Sequence, residues 1–181
     1  MLSRRHKYEV IRQQVLLLTL QETVQNLPEL AGYLRLTTIN ADALQSWKNW
    51  PEAEDVQRQI GWDWHEVRSR YRRNHPASIE LAIWFDESLC GLMIGKASRG
   101  KLVVKINYLQ GLPIDHPLKG VILPIAARCA EHFAAAIEAK WVAIQDPMEE
   151  PGLLDYYRDL GFDQTDPFDH LNNALFKLVE D

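Results

Sequence analysis

The chain has 181 residues and a formal net charge of −5, a length that suits one domain with a sizeable core and a sign opposite to that of a nonspecific nucleic-acid binder. Hydrophobic residues make up 46% and charged residues 25%, the ordinary balance of a soluble globular protein. No run reaches the ~20 apolar residues of a membrane helix. The basic start Ser3-Arg4-Arg5-His6-Lys7 is followed by Glu9, Arg12, Gln13 and Gln14 and only a short apolar run, Val15–Leu20, with no small-residue cleavage site after it. No secretory signal is expected from this start, and a cytoplasmic location is expected.

Residues 7–26 read as a helix with Tyr8, Ile11, Val15, Leu18 and Leu20 near one face, ended by Pro28 and Gly32. It forms an amino-terminal extension, residues 1–30, that docks on the domain or on a partner. Leu34–Ile39 is a short strand. Asn40 or Asp42 caps a helix running through Trp47, and a longer helix is expected from Ala53 to Arg73 on the stripe Val56, Ile60, Trp64, Val67 and Tyr71, with Gly61 as a weak point. Three strands follow. Ile79, Leu81, Ile83 and Phe85 alternate; Asp86-Glu87-Ser88 turns the chain; Leu89–Ala97 is the second; Ser98-Arg99-Gly100-Lys101 turns it again; Leu102, Val104, Ile106 and Tyr108 mark the third. Turns this short join neighbours into an antiparallel meander.

A loop with Gly111, Pro113 and Pro117 leads to a helix over 120–140, and Trp141–Gln145 is a strand. Strand, long helix, strand in that order implies a parallel crossover. A short helix, Leu153–Leu160, is closed by Gly161, and Ala174–Val179 is the last strand. Cys90 and Cys129 lie in apolar runs and read as buried thiols, although spacing does not decide whether they pair. The histidines show no metal-ligand spacing, so no metal is expected.

This order of elements resembles the GNAT acetyltransferase superfamily over residues 34–181, and two local patterns carry the resemblance. Leu153-Leu154-Asp155-Tyr156-Tyr157-Arg158-Asp159-Leu160-Gly161-Phe162 is similar to the late helix of that family, and Tyr157 falls on its tyrosine position. Pro117-Leu118-Lys119-Gly120-Val121-Ile122 falls where the family places its pyrophosphate loop, keeping Gly120 but carrying Pro117 and Ile122 where a basic or amide residue and a second small residue are usual. Glu150 stands where members often have an asparagine. The implied fold class is α/β with a mixed, mostly antiparallel central sheet flanked by helices, in a single domain spanning 1–181.

The resemblance implies acetyl-CoA as co-substrate and direct transfer of the acetyl group to an amine. Asn107, Tyr108 and Leu109 would hold pantetheine, and His116, Lys119, Gly120, Val121 and Ile122 would surround the diphosphate, with helix-start amides and the helix dipole favouring the anion. Tyr157 is the candidate acid. Glu80, on the strand face opposite Ile79 and Leu81, is the candidate base. Trp47, Trp50 and Trp62, in the region that builds the family's acceptor groove, are candidate acceptor-binding residues. The acceptor would be a small-molecule or protein amine, and a homodimer is left open. The cluster Arg68, Arg70, Arg72, Arg73 and His75 reads as a solvated helix end, with RNA as the sharper alternative. The competing functional reading is a protein of this fold that has lost catalysis and works through protein partners.

Overall fold

Strands β1 (Leu34–Thr37), β2 (Ser78–Phe85), β3 (Ser88–Ala97), β4 (Val103–Gly111), β5 (Trp141–Gln145), β6 (Gln164–Thr165) and β7 (Ala174–Leu178) form one sheet in the order β1-β2-β3-β4-β5-β7-β6 in the computed structural model. The structure describes residues 3–56 and 59–179. All neighbouring pairs are antiparallel except β4 and β5, which run parallel. Among the described residues the helices are α1 (Arg4–Asn26), α2 (Ala41–Lys48), α3 (Trp64–Asn74), α4 (Ile122–Ala136) and α5 (Leu153–Asp159), with a 3₁₀ turn at Pro28–Leu30. The mixed sheet flanked by helices, with an extra helix at the amino end, is the architecture expected above.

Alternation along the strands sorts the core into two faces. Ile79, Leu81, Ile83, Met93, Val104 and Ile106 pack with Tyr8, Val15 and Leu16 of α1 and with Ile125, Cys129 and Phe133 of α4. On the other face Ala82, Trp84, Leu92 and Ile94 pack with Ala43 and Leu44 of α2 and with Trp64, Val67 and Tyr71 of α3. A third cluster, Val103, Ala143, Ala174 and Phe176, continues this second face across β4, β5 and β7. Cys90 and Cys129 are free and buried. No helix among the described residues is long and apolar enough to cross a membrane.

Three differences from the sequence expectations have physical causes. The helix expected from Ala53 begins only at Trp64, capped by Asp63, whose carboxylate accepts the Glu66 amide at 3.1 Å. Val56, placed on the apolar stripe, is 75% exposed, and Gly61 disfavours a helix through this segment. Helix α1 docks on the domain itself, and its buried face is Tyr8, Val15, Leu16, Thr19 and Thr23; Leu18 points outward. Thr19 and Thr23 are tolerated there because each hydroxyl donates to the carbonyl one turn back, at 2.7 Å. Strand β6 carries no sequence signal, since both its residues are exposed and polar.

Candidate functional site

The site is built where two strands part. Strands β4 and β5 pair only from Val103 to Ile106 against Trp141 to Ile144. Strand β5 ends at Gln145, whereas β4 continues to Gly111, paired on its β3 side alone. The edge of β4 facing the gap therefore offers backbone groups that no neighbouring strand takes up.

A bulge sits at the parting. Ile94 pairs with Tyr108 and Gly95 with Ile106, so Asn107 is the extra residue on β4. Gly95 makes the bulge possible: a Cβ there would lie 2.3 Å from the Lys105 carbonyl oxygen. The Asn107 side-chain oxygen is buried with no donor. Leu109 packs on the α4 face and Tyr108 on the α3 face.

The start of α4 forms the second wall. Gly120 has φ +85°, and the space where its Cβ would stand is open. Val121 is the helix cap and makes no side-chain cap bond; its amide donates to the Leu118 carbonyl. The amides of Ile122 and Leu123 have no intrahelical acceptor, as the first turn of any helix requires. Pro124 fits there because a first-turn amide is dispensable. The bulk of Ile122 is turned to the sheet: its methyl carbon Cγ2 would be 2.9 Å from a Cβ on Gly91. His116 accepts the Leu118 amide at Nδ1, 3.2 Å away, and burial lowers its pKa. Lys119 is exposed, 3.7 Å from Asp115.

Helix α5 closes the third side. Tyr156 donates its hydroxyl to the Gly120 carbonyl at 2.5 Å, a tie to the glycine loop that the motif match at Tyr157 did not reveal. Tyr157 is buried in the α4-side core. Burial raises the pKa of its phenol; the Met148 backbone opposes the rise, and Glu150 adds to it.

On the opposite face of the sheet the Tyr108 ring is the centre of an aromatic wall. Ring centroids of Trp62, Tyr71 and Trp64 lie 5.1, 5.8 and 6.4 Å from it, all edge-on. Arg70 donates to the Tyr108 hydroxyl at 2.8 Å. Burial, chiefly, pushes the Tyr71 phenol up to about 12. Lys96 and Lys105 stand directly opposite each other on β3 and β4. The Lys96 ammonium is 3.3 Å from His75 Nε2, and Lys105 donates to Gln145 Oε1 at 3.2 Å. Burial, then the charges of Lys105 and Arg70, lower the pKa of Lys96; burial, then Lys96 and Arg70, lower that of His75.

Of the three tryptophans singled out in the sequence, Trp62 alone joins this wall. Trp50 donates to the Leu89 carbonyl at 3.1 Å, and Trp47 lies against His65 with centroids 6.3 Å apart. Glu80 lies under α3, 6% exposed, with both carboxylate oxygens engaged by Arg72. Burial raises its pKa and Arg72 opposes the rise. Arg68, Arg72 and Arg73 line a cavity of about 440 Å³ with Arg5 and Ser69, while Arg70 turns to Tyr108. Sequence reasoning passed over Lys96, Tyr71 and Tyr156. The first could have been found by carrying the register back from the Ser98–Lys101 turn, which sets Lys96 against Lys105. Among the described residues no group of three or more His, Cys, Asp or Glu is arranged to hold a metal ion.

No protein-family model matches this sequence, and no curated protein matches it. Solved structures do match in fold. Ard1 from Thermoplasma volcanium is 11% identical, with 82% of this chain and 99% of that one covered, at a TM-score of 0.58. A spermidine N-acetyltransferase SpeG chimera from Vibrio cholerae and hSSAT is 14% identical, covering 81% and 96%, at 0.57. The PaiA N-acetyltransferase from Thermoplasma acidophilum, in complex with coenzyme A, is 12% identical, covering 80% and 98%, at 0.52. The chain has the GNAT acetyltransferase fold.

Proposed function

We propose that the protein is an N-acyltransferase that moves an acetyl group from acetyl-CoA to an amine by direct transfer. The observation that carries this reading is the parting of β4 from β5 beyond Ile106 and Ile144, with the Asn107 bulge at its apex and the start of α4 at its mouth. A thioester carrier with amides along its arm and a diphosphate at its end matches that layout. The arm would pair with the free edge of β4 at Asn107, Tyr108 and Leu109, where the buried Asn107 oxygen lacks a donor. The diphosphate would lie against Gly120 and the amides of Ile122 and Leu123. Val121 contributes position only, because its amide is already committed. The neighbouring PaiA structure contains coenzyme A, which supports the same reading.

In the transfer, the ammonium of the acceptor first gives a proton to water. The amine nitrogen attacks the thioester carbonyl carbon, the C–N bond forms, and the C–S bond breaks. The thiolate takes a proton from a phenol, the nitrogen sheds its second proton to solvent, and the phenolate takes one proton back from solvent. Net, an ammonium and a thioester become an amide, a thiol and one proton. Tyr157 is the proton donor of this scheme, its burial keeping the phenol neutral at working pH. Glu80 serves as the buried counter-ion that ties Arg72 and α3 to the sheet, since both of its oxygens accept from the Arg72 guanidinium.

Calorimetric titration of acetyl-CoA tests the proposal. Micromolar binding that is lost in Gly120→Glu, with the urea midpoint little changed, supports it. No heat at millimolar acetyl-CoA would favour instead a protein of this fold acting through binding. If Tyr157 is the acid, Tyr157→Phe lowers kcat by about 10²-fold or more with affinity for acetyl-CoA nearly unchanged; unchanged kcat removes Tyr157 from that role.

A further inference from the structure

We propose that the acceptor bound on the Tyr108 side of the sheet carries an acidic group, a carboxylate or phosphate held by Lys96, Lys105 and Arg70, a few bonds from the amine that is acylated. The acylation part rests on the acyltransferase reading above; the anion site rests on charge and geometry alone.

Like charges directly opposite on adjacent strands destabilise a sheet, yet Lys96 and Lys105 are cross-strand partners in the middle of this one. Their hydrogen bonds bring no negative charge to offset this. Lys105 donates to a neutral amide, Gln145, and Lys96 to an imidazole, His75. Arg70, on the helix above, donates to a neutral phenol, Tyr108. Among the described residues none of these three cations forms an ion pair.

The nearby carboxylates are committed elsewhere. Glu80 holds Arg72. Asp166, which the charge of Lys105 helps to keep ionised without forming an ion pair, accepts the amides of Phe168 and Asp169 and the side-chain amide of Asn172. Trp62, in the same wall, has a buried indole N–H with no acceptor. The groups facing His75 and Lys96 are thus Arg70 and Tyr71 from α3 and Lys105 from β4. The unmet demands of Trp62, Lys96, Lys105 and Arg70 are for a hydrogen-bond acceptor or a negative charge. A polycationic acceptor would add to the repulsion. An anion would relieve it, and because Lys105 lies two residues from the Asn107 bulge, that anion would sit close to the acyl group.

His75 is the reporter. Inorganic pyrophosphate and malonate are titrated separately into the full chain, with potassium chloride at matched ionic strength as control, while the His75 imidazole is followed by NMR against pH. His75→Gln assigns the resonance. The expected result is a rise in the His75 pKa of about one unit with millimolar probe, absent with chloride and lost in Lys96→Gln/Lys105→Gln. Arg70→Gln, on α3 rather than on the strand pair, provides a second variant in which the rise shrinks should the double variant unfold. The probe that saturates at the lower concentration identifies the preferred anion. No rise, an equal rise with chloride, or a rise that survives in the folded variants overturns the proposal, as does faster acetyl transfer to spermidine than to O-phosphoethanolamine. Acetyl-CoA calorimetry keeps the two readings apart. Lost acetyl-CoA binding with the His75 response intact removes the acyltransferase and leaves an anion site; the converse removes the anion site and leaves the acyltransferase.

Discussion

At Gly95 the absence of a side chain shapes the site. A Cβ there would press on the Lys105 carbonyl oxygen, whereas one at Gly100 would meet nothing. Gly95→Ala is expected to lower stability by about 1–3 kcal/mol in urea unfolding and to abolish acetyl-CoA heat, while Gly100→Ala stays within about 0.5 kcal/mol of the parent. Cys129 is wholly buried, and burial pushes its thiol up to about 12. Thiolate is the reactive form, so Cys129 should stay unlabelled by iodoacetamide at pH 8 in the native protein and react fully in urea, as read by mass spectrometry. Asp166 behaves in the opposite sense. Burial works to raise its pKa, but Asn172 and the amides of Phe168 and Asp169 outweigh that and hold it below its ordinary 3.8. The folded state therefore keeps the ion where the unfolded chain takes up a proton. This contribution to stability is full above the ordinary carboxylate range and fades as pH falls through the lowered value. Asp166→Asn should lower Tm near neutral pH and flatten its fall below about pH 4.

At the scale of elements, the hairpins were legible because strand alternation and short polar turns are both local. β2 and β3 fall within a residue of their expected ends and β5 falls on them, whereas β4 runs three residues past Tyr108, to Gly111. The segment before α3 shows the limit of periodicity. Val56 and Ile60 fit the spacing of the stripe, but a stripe is only a helix when something covers it, and the covered residues begin at Trp64. Asp63 then fixes the start, and Asp63→Ala should cost about 1 kcal/mol, measured as a shift in the urea midpoint at constant slope. The glycine loop was legible in Gly120, whose positive φ only glycine adopts without strain. Its support was not, because Tyr156 and Tyr157 are adjacent in a seven-residue helix, and a motif cannot tell which of the two reaches back to the loop.

For the molecule as a whole, α1 changes from an appendage into part of the core. Tyr8, Val15 and Leu16 are 2%, 1% and 5% exposed, and each buried side chain of this kind contributes about 1.5–3 kcal/mol. Their sum is comparable with the total stability of a domain, about 5–15 kcal/mol. A chain beginning at Ala31 should therefore lack a cooperative unfolding transition by circular dichroism. If it unfolded with the parent midpoint, α1 would be dispensable. The helix covers one face of the sheet beside α4, leaving the other face to α2, α3 and the aromatic wall. Under the proposed function, the acyl carrier and the acceptor would lie on opposite sides of one bulge.

The order of the helices and of every strand but β6, the two tight turns, the crossover between β4 and β5 and the glycine before α4 were all determined by the sequence alone. Each depends on residues near one another along the chain, where alternation, helical spacing and turn chemistry act directly. Only the tertiary structure decided that Ile122 faces Gly91, that Glu80 is held by Arg72, and that Trp62, Arg70, Lys96 and Lys105 converge on Tyr108. Those contacts join residues far apart in the chain, and they depend on strand register, on a one-residue bulge and on which helix face finds cover. A local pattern carries none of that information, because the same spacing is compatible with several partners and packing selects one of them.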